Sequence, residues 1–226
     1  MTLYAGTFSI VAADATTGEV GCAVQSKYLA IGAVTPWVRA GIGAVATQAM
    51  GVVARNGERA LSALAAKADP SEALDQALAT DLEPELRQLA AVTADGRAAA
   101  YTGAGCIEWA GHLVEPGFAV QGNMLANAKV VPAMRRAFLD TATPLPERML
   151  AALEAGQAAG GDRRGQQSAA VIIEQLGAAK RYREGIDRIC DLRVDDHPEP
   201  INELRRLLGL WRHRQAERQR QTQRQF

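Results

Sequence analysis

Thr7 and Ser9 alternate with Phe8 and Ile10 in Gly6-Thr7-Phe8-Ser9-Ile10-Val11-Ala12-Ala13-Asp14, so one face of this stretch is hydroxylated and the other apolar. A hydroxyl is a weak nucleophile until a base takes its proton, and the α-amine of an N-terminal Thr is such a base. Gly6 leaves the peptide bond ahead of Thr7 sterically open. A cut between Gly6 and Thr7 would give Thr7 a free amine with a pKa of about 7.7–8. The plainer reading is a strand at the edge of a buried sheet with hydroxyls on one face.

An amine that is to serve as base must be neutral, and a nearby cation lowers its pKa. Lys27, just past the second apolar run Val20 to Gln25, is the candidate, against the alternative of a solvated surface charge. Charge developing on a carbonyl oxygen needs donors. Asn123 in Gly122-Asn123 is one candidate and the backbone N–H groups of Gly41 or Gly43 another, although Gly122-Asn123 also reads as a turn pair. Asp162, Arg163 and Arg164 lie between glycines in Gly160-Gly161-Asp162-Arg163-Arg164-Gly165. Two guanidinium forks there suit a carboxylate or phosphate ligand, or an ion-paired loop that locks subunits together.

Other groups carry less. Asp191, Asp195, Asp196 and His197 include metal-ligand types, but Asp-Asp-His-Pro ahead of a helix reads better as an N-terminal cap, and no metal or cofactor is expected. His112 has no matched Ser or Cys, which leaves a Ser/His/Asp triad unsupported. Cys22, Cys106 and Cys190 are far apart and odd in number, as reduced, mostly buried thiols would be.

The elements that must position these groups follow from periodicity. The Asp/Thr/Gly-rich break before Val20 closes a hairpin of the first two strands. A Gly/Ala/Val stretch from Trp37 to Met50 reads as extended. Helices follow after Val52 and after Asp69-Pro70, the second capped by Ser71. Arg87 to Ala94 and Arg97 to Thr102 form a hairpin about Asp95-Gly96, with Phe118 to Asn123 as a third strand of that group. Helices over Asn127–Asp140 and Leu145–Ala159, strands over Ser168–Glu174 and Ile189–Val194, and an amphipathic helix beyond Pro198 complete the order. Strand clusters separated by helix pairs do not give a parallel sheet. They fit an α+β fold, a four-layer αββα sandwich of two antiparallel sheets flanked by helices.

The 226 residues, 48% hydrophobic, suffice for one domain over 1–210, with 211–226 as a basic, Gln/Arg-rich tail that extends the last helix or is disordered. Twenty-five basic and 25 acidic side chains balance, so no global field draws nucleic acid or anionic membrane. No membrane span and no secretory signal are read, so a cytoplasmic protein is expected. Trp37, Trp109, Trp211 and the Ala/Leu-rich helices point to apolar surface shared in a homo-oligomer.

Thr7-Phe8-Ser9-Ile10-Val11-Ala12, Gln25-Ser26-Lys27, Gly32-Ala33-Val34-Thr35-Pro36-Trp37, Val120-Gln121-Gly122-Asn123-Met124-Leu125, the run from Ala159 to Ala170 and Asp191-Leu192-Arg193-Val194-Asp195-Asp196-His197-Pro198 resemble, in order, the bacterial and archaeal domain-of-unknown-function family numbered 1028. The resemblance runs from Thr7 to about Leu210. It implies the fold of the N-terminal-nucleophile (Ntn) hydrolase superfamily and an amidohydrolase acting on a small or peptide-like amide, and it names no substrate. Members usually carry the Thr-x-Ser-Ile-Val motif directly after the initiator Met. Here Met1-Thr2-Leu3-Tyr4-Ala5-Gly6 precedes it, so Met removal would expose Thr2, and Thr7 requires cleavage. The rival expectation is a catalytically silent member serving in binding or assembly. An ammonium of Lys27 directed away from Thr7 would favour the rival.

Overall fold

The computed structural model describes residues 6–50, 53–182 and 186–223. The chain opens with the expected hairpin. β1 (Thr7–Asp14) pairs antiparallel with β2 (Glu19–Ser26), and the Asp14 carboxylate closes the turn by accepting from the backbone N–H groups of Thr16 and Thr17. β3 (Pro36–Arg39), β4 (Gly43–Ala49), β5 (Arg87–Thr93) and β6 (Ala98–Thr102) form a four-stranded sheet in that order. The Trp37–Met50 stretch is therefore two strands, with Gly41 in the left-handed region between them (φ 72°).

β7 (Gly111–Glu115), β8 (Phe118–Asn123), β9 (Ser168–Gln175) and β10 (Arg188–Val194) join the hairpin in a six-stranded sheet of order β10-β9-β2-β1-β8-β7. This corrects the expectation that Phe118–Asn123 belongs with the Asp95-Gly96 hairpin. Phe118 and Val120 need a bulky apolar layer and find it with Phe8, Ile10 and Phe138, the Phe118 and Phe138 rings being 4.5 Å apart. β1 is in turn an interior strand, between β2 and β8, rather than an edge.

The two sheets face each other across a layer of small side chains, Val11, Cys22, Ala44, Ala46, Ala90, Val92 and Ala119. α1 (Ala54–Ala65) and α2 (Pro70–Leu78) cover the outside of the four-stranded sheet through Leu61, Leu64 and Leu74 packed on Leu89. α3 (Val130–Asp140) and α4 (Leu145–Ala158) cover the six-stranded sheet, α5 (Ala178–Tyr182) is a short turn, and α6 (Pro200–Gln223) lies on β9, β10 and α4. The architecture is the four-layer αββα sandwich. Asp69, not Ser71, caps α2: its carboxylate accepts from Ser71 N, Glu72 reaches back to Asp69 N, and Pro70 takes the first helical position. The tail continues α6 as far as Gln223. Among the described residues no helix is long and apolar enough to cross a membrane. Trp37, Trp109 and Trp211 are partly buried against the chain's own cores, which removes them as grounds for an oligomer.

Period-2 alternation sends Phe8, Ile10 and Ala12 to the helix side of the sheet and Thr7, Ser9 and Val11 into the space between the sheets. On β2, Gln25 lies opposite Phe8 and is fully buried, yet neither amide atom has a hydrogen-bond partner among the described residues. A buried amide without partners costs about 1–3 kcal/mol. Gln25→Met keeps the shape and removes the polar atoms, and should raise the thermal midpoint by about 2–4 °C, read by calorimetry. A lowered midpoint would mean that ordered water bonds the amide.

Candidate active site at the end of the first strand

Counting seven residues outward along each strand from the Asp14–Glu19 pair brings Ser26 opposite Thr7, and on the other flank of β1 the partner of Thr7 is Asn123. Three polar residues therefore meet at one end of the inter-sheet space, all buried. The Thr7 hydroxyl donates to Ser26 Oγ at 3.1 Å, and Ser26 Oγ donates to the Gly6 carbonyl oxygen at 2.5 Å. That same oxygen accepts from Arg164 Nη2 at 2.8 Å. The carbonyl of the peptide bond ahead of Thr7 thus has two donors, one of them cationic, as a developing oxyanion requires.

Arg164 is held from behind. Its Nε and Nη2 grip the carboxylate of Asp162 at 3.1 and 2.6 Å, and this carboxylate also accepts from the backbone N–H groups of Arg164 (2.9 Å) and Lys27 (3.1 Å). The Asp162 side chain is 0% exposed and that of Arg164 27%. Asp162 and Arg164 therefore form an internal ion pair that orders the start of β1 and the end of β2. The fork expected to take an external carboxylate or phosphate is engaged within the chain. Arg163 stands apart from them, with Nη1 on the Glu108 carbonyl at 3.2 Å.

Lys27 departs from expectation. Its side chain is exposed and its Nζ donates to the Gln166 carbonyl at 3.1 Å, because Lys27 has the parity of Ala23 and Gln25, which leave β2 on the helix side, while Cys22 and Ser26 face the inter-sheet space. The cation beside the Gly6–Thr7 bond is Arg164. Gly41 and Gly43 are also misplaced as donors. Gly41 lies in the turn before β4 and Gly43 at its far end, where it pairs with Thr93, about 17 Å along the strand from Gln48, which meets Thr7.

Behind Thr7 runs a buried amide network absent from the sequence reading. Ser9 Oγ donates to Gln48 Oε1 at 2.7 Å and accepts from Gln121 Nε2 at 3.2 Å. Gln48 Nε2 reaches the Thr7 carbonyl at 3.2 Å and Gln88 Oε1 at 2.8 Å. Asn123 Nδ2 donates to the same Gln88 oxygen at 3.0 Å, while Gln88 Nε2 serves Thr102 Oγ1 and the carbonyls of Gly111 and Gly122. Thr102 contacts His112 Nδ1 at 2.8 Å, and burial pushes the His112 pKa down. Ser9 is in this way a structural link between the sheets, and Asn123 is oriented by Gln88. Asn123 also lines a cavity of about 10 Å³ with Ala49, Met50, Gly105, Cys106, Ile107 and Met124. The Cys106 thiol there donates to the Arg87 carbonyl, and burial raises its pKa, which disfavours thiolate chemistry.

The segment before α6 behaves as a cap. His197 Nδ1 accepts from Glu199 N at 3.0 Å, and Asp191 is bound by Arg188 and Arg193. Ser26 was accessible to sequence reasoning through the hairpin count. Gln48 and Gln88 sit inside small-residue strands and give no such signal.

A model of the family of unknown function DUF1028 matches residues 7–204, so that the match begins at Thr7. A crystal structure of a Silicibacter pomeroyi protein matched by the same family model is similar over 90% of this chain and 85% of its own, with 31% identity and a TM-score of 0.80. No curated protein matches.

Proposed function

The chain belongs to the family of unknown function DUF1028, and from that premise and the geometry around Gly6 we propose that it is an amide hydrolase of the Ntn type with Thr7 as its nucleophile. The observation that carries the reading is the double hydrogen bond from Ser26 and Arg164 to the Gly6 carbonyl, next to a hydroxyl already linked to Ser26. The start of the family match at Thr7 is in keeping with it.

The chemistry has two stages. First the Thr7 hydroxyl oxygen attacks the Gly6 carbonyl carbon, its proton leaves through Ser26 and ends on the departing Thr7 nitrogen, and the amide becomes an ester. Water then cleaves the ester, releasing residues 1–6 as a carboxylate and leaving Thr7 with a free amine and a restored hydroxyl. In the second stage that amine takes the hydroxyl proton as Thr7 attacks a small or peptide-like amide, and returns it to the leaving amine. Arg164 serves as the cation that keeps the amine neutral, the role first given to Lys27, and Ser26 joins Asn123 as a donor.

A second reading has its own support. The direction of Lys27 and the complete burial of Thr7 fit a catalytically silent fold that binds or assembles. Under either reading the setting is cytoplasmic, in keeping with free thiols at Cys22, Cys106 and Cys190, and further copies of the chain remain proposed partners through exposed Leu29, Leu82, Leu176 and Ile186. Intact-mass measurement on the purified full chain separates the two. Loss of residues 1–6 in the parent, with Thr7→Ala remaining uncut, is the expected result. A parent chain that stays uncut at Gly6 after prolonged incubation would overturn Thr7 as the nucleophile and support the silent reading or a Thr2 terminus.

A further inference from the structure

Gly6 has no space for a side chain. A β-carbon at this position would lie 2.8 Å from Met124 Cβ and 3.0 Å from each carboxylate oxygen of Asp162. Neither wall is a flexible side-chain end. Met124 Cβ is fixed by the backbone, and Asp162 is immobilised by Arg164 and by two backbone N–H groups. The surroundings therefore call for glycine there.

We propose that the seat now filled by Gly6 is the acyl subsite of Thr7, and that it restricts the enzyme to glycyl amides, meaning amides whose carbonyl is joined to an unsubstituted methylene. The inference rests on the Thr7 reading. Ser26 and Arg164 hold the carbonyl oxygen, Met124 and Asp162 exclude any α-substituent, and the leaving amine is unconstrained by these four residues. In the reaction the Thr7 oxygen bonds to the glycyl carbon, the hydroxyl proton moves to the Thr7 amine and then to the departing nitrogen as the C–N bond breaks. Water hydrolyses the glycyl ester to a carboxylate.

The full chain tests this by its own cleavage. Followed by intact mass, Gly6→Ala should cleave at least about 30-fold more slowly than the parent, the effect of forcing one methyl into a filled site. Met124→Gly removes one wall at a position already left-handed (φ 53°), where glycine is unstrained. The double variant Gly6→Ala with Met124→Gly should recover most of the lost rate, and circular dichroism with a thermal midpoint on uncut Gly6→Ala at the parent values separates a slowed reaction from a folding defect. Self-processed protein should then hydrolyse N-acetylglycyl p-nitroanilide at least about 30-fold faster, in kcat/KM, than the N-acetyl-L-alanyl compound, and Met124→Gly should narrow that ratio. Cleavage of Gly6→Ala at the parent rate, or equal use of the alanyl compound by a protein whose Thr7→Ala variant is inert, would overturn the glycyl restriction while leaving the nucleophile in place. A parent chain that never cleaves would overturn the Thr7 reading and this inference with it.

Discussion

Ser26→Ala should slow cleavage of the Gly6–Thr7 bond by about 10²–10³-fold, the effect of deleting one donor to a developing oxyanion. Ser26 is both the acceptor of the Thr7 hydroxyl and a donor to the Gly6 oxygen, so its removal takes away the proton path together with half of the carbonyl's stabilisation. The variant is informative because it leaves the rest of the site standing. The Asp162–Arg164 pair does not involve the Ser26 side chain, and the lost atom is small. Arg164→Gln is the poorer test, since it strands the fully buried Asp162 carboxylate without its cation and would destabilise the protein directly. The rate is read by intact mass over time, with circular dichroism and the thermal midpoint as controls for folding. Cleavage at the parent rate in a folded Ser26→Ala protein would show that the two-donor arrangement is not the catalytic feature.

Gln88→Met should lower stability by about 4 kcal/mol, measured by urea denaturation. The amide of Gln88 is completely buried and stands at a junction: its oxygen receives Gln48 Nε2 and Asn123 Nδ2, and its nitrogen serves Thr102 and two backbone carbonyls. Methionine fills the same volume, so the loss comes from partners left unpaired in the space between the sheets, each costing about 1–3 kcal/mol. Gln25→Met is the matching control. The same substitution on the same fold is expected to stabilise there, because the Gln25 amide has nothing to lose among the described residues. A small effect at Gln88 would mean that water substitutes for it and that Asn123 is not held by this hub.

Much of this fold was legible from local sequence. The Asp14–Gly18 turn and the alternation of Thr7, Ser9 and Val11 with Phe8 and Ile10 dictate the first hairpin and which side chains share a face, since both depend on a few neighbouring residues and a period of two. The helix pairs were visible in the same way, as apolar groups at helical spacing. Lys27, one residue past the end of β2, shares the parity of Ala23 and Gln25, so the same alternation carried one residue further directs its ammonium away from Thr7 and makes nearness in sequence a poor guide to the site. Phe118–Asn123 reads as a strand from its own pattern, but its sheet does not follow from that pattern, because pairing partners are chosen by which apolar layer can take Phe118.

What the sequence by itself determined is a hydroxylated strand face behind a glycine, in a hairpin with the apolar run that ends at Gln25. Only the tertiary structure brought Arg164, 158 positions away, onto the Gly6 oxygen, set Asp162 and Met124 against its α-carbon, and joined Gln48 and Gln88 behind Thr7. The reason is physical. Hairpin register follows from a short turn, whereas a charge or amide from a distant loop is positioned by the packing of whole layers, to which no local periodicity refers.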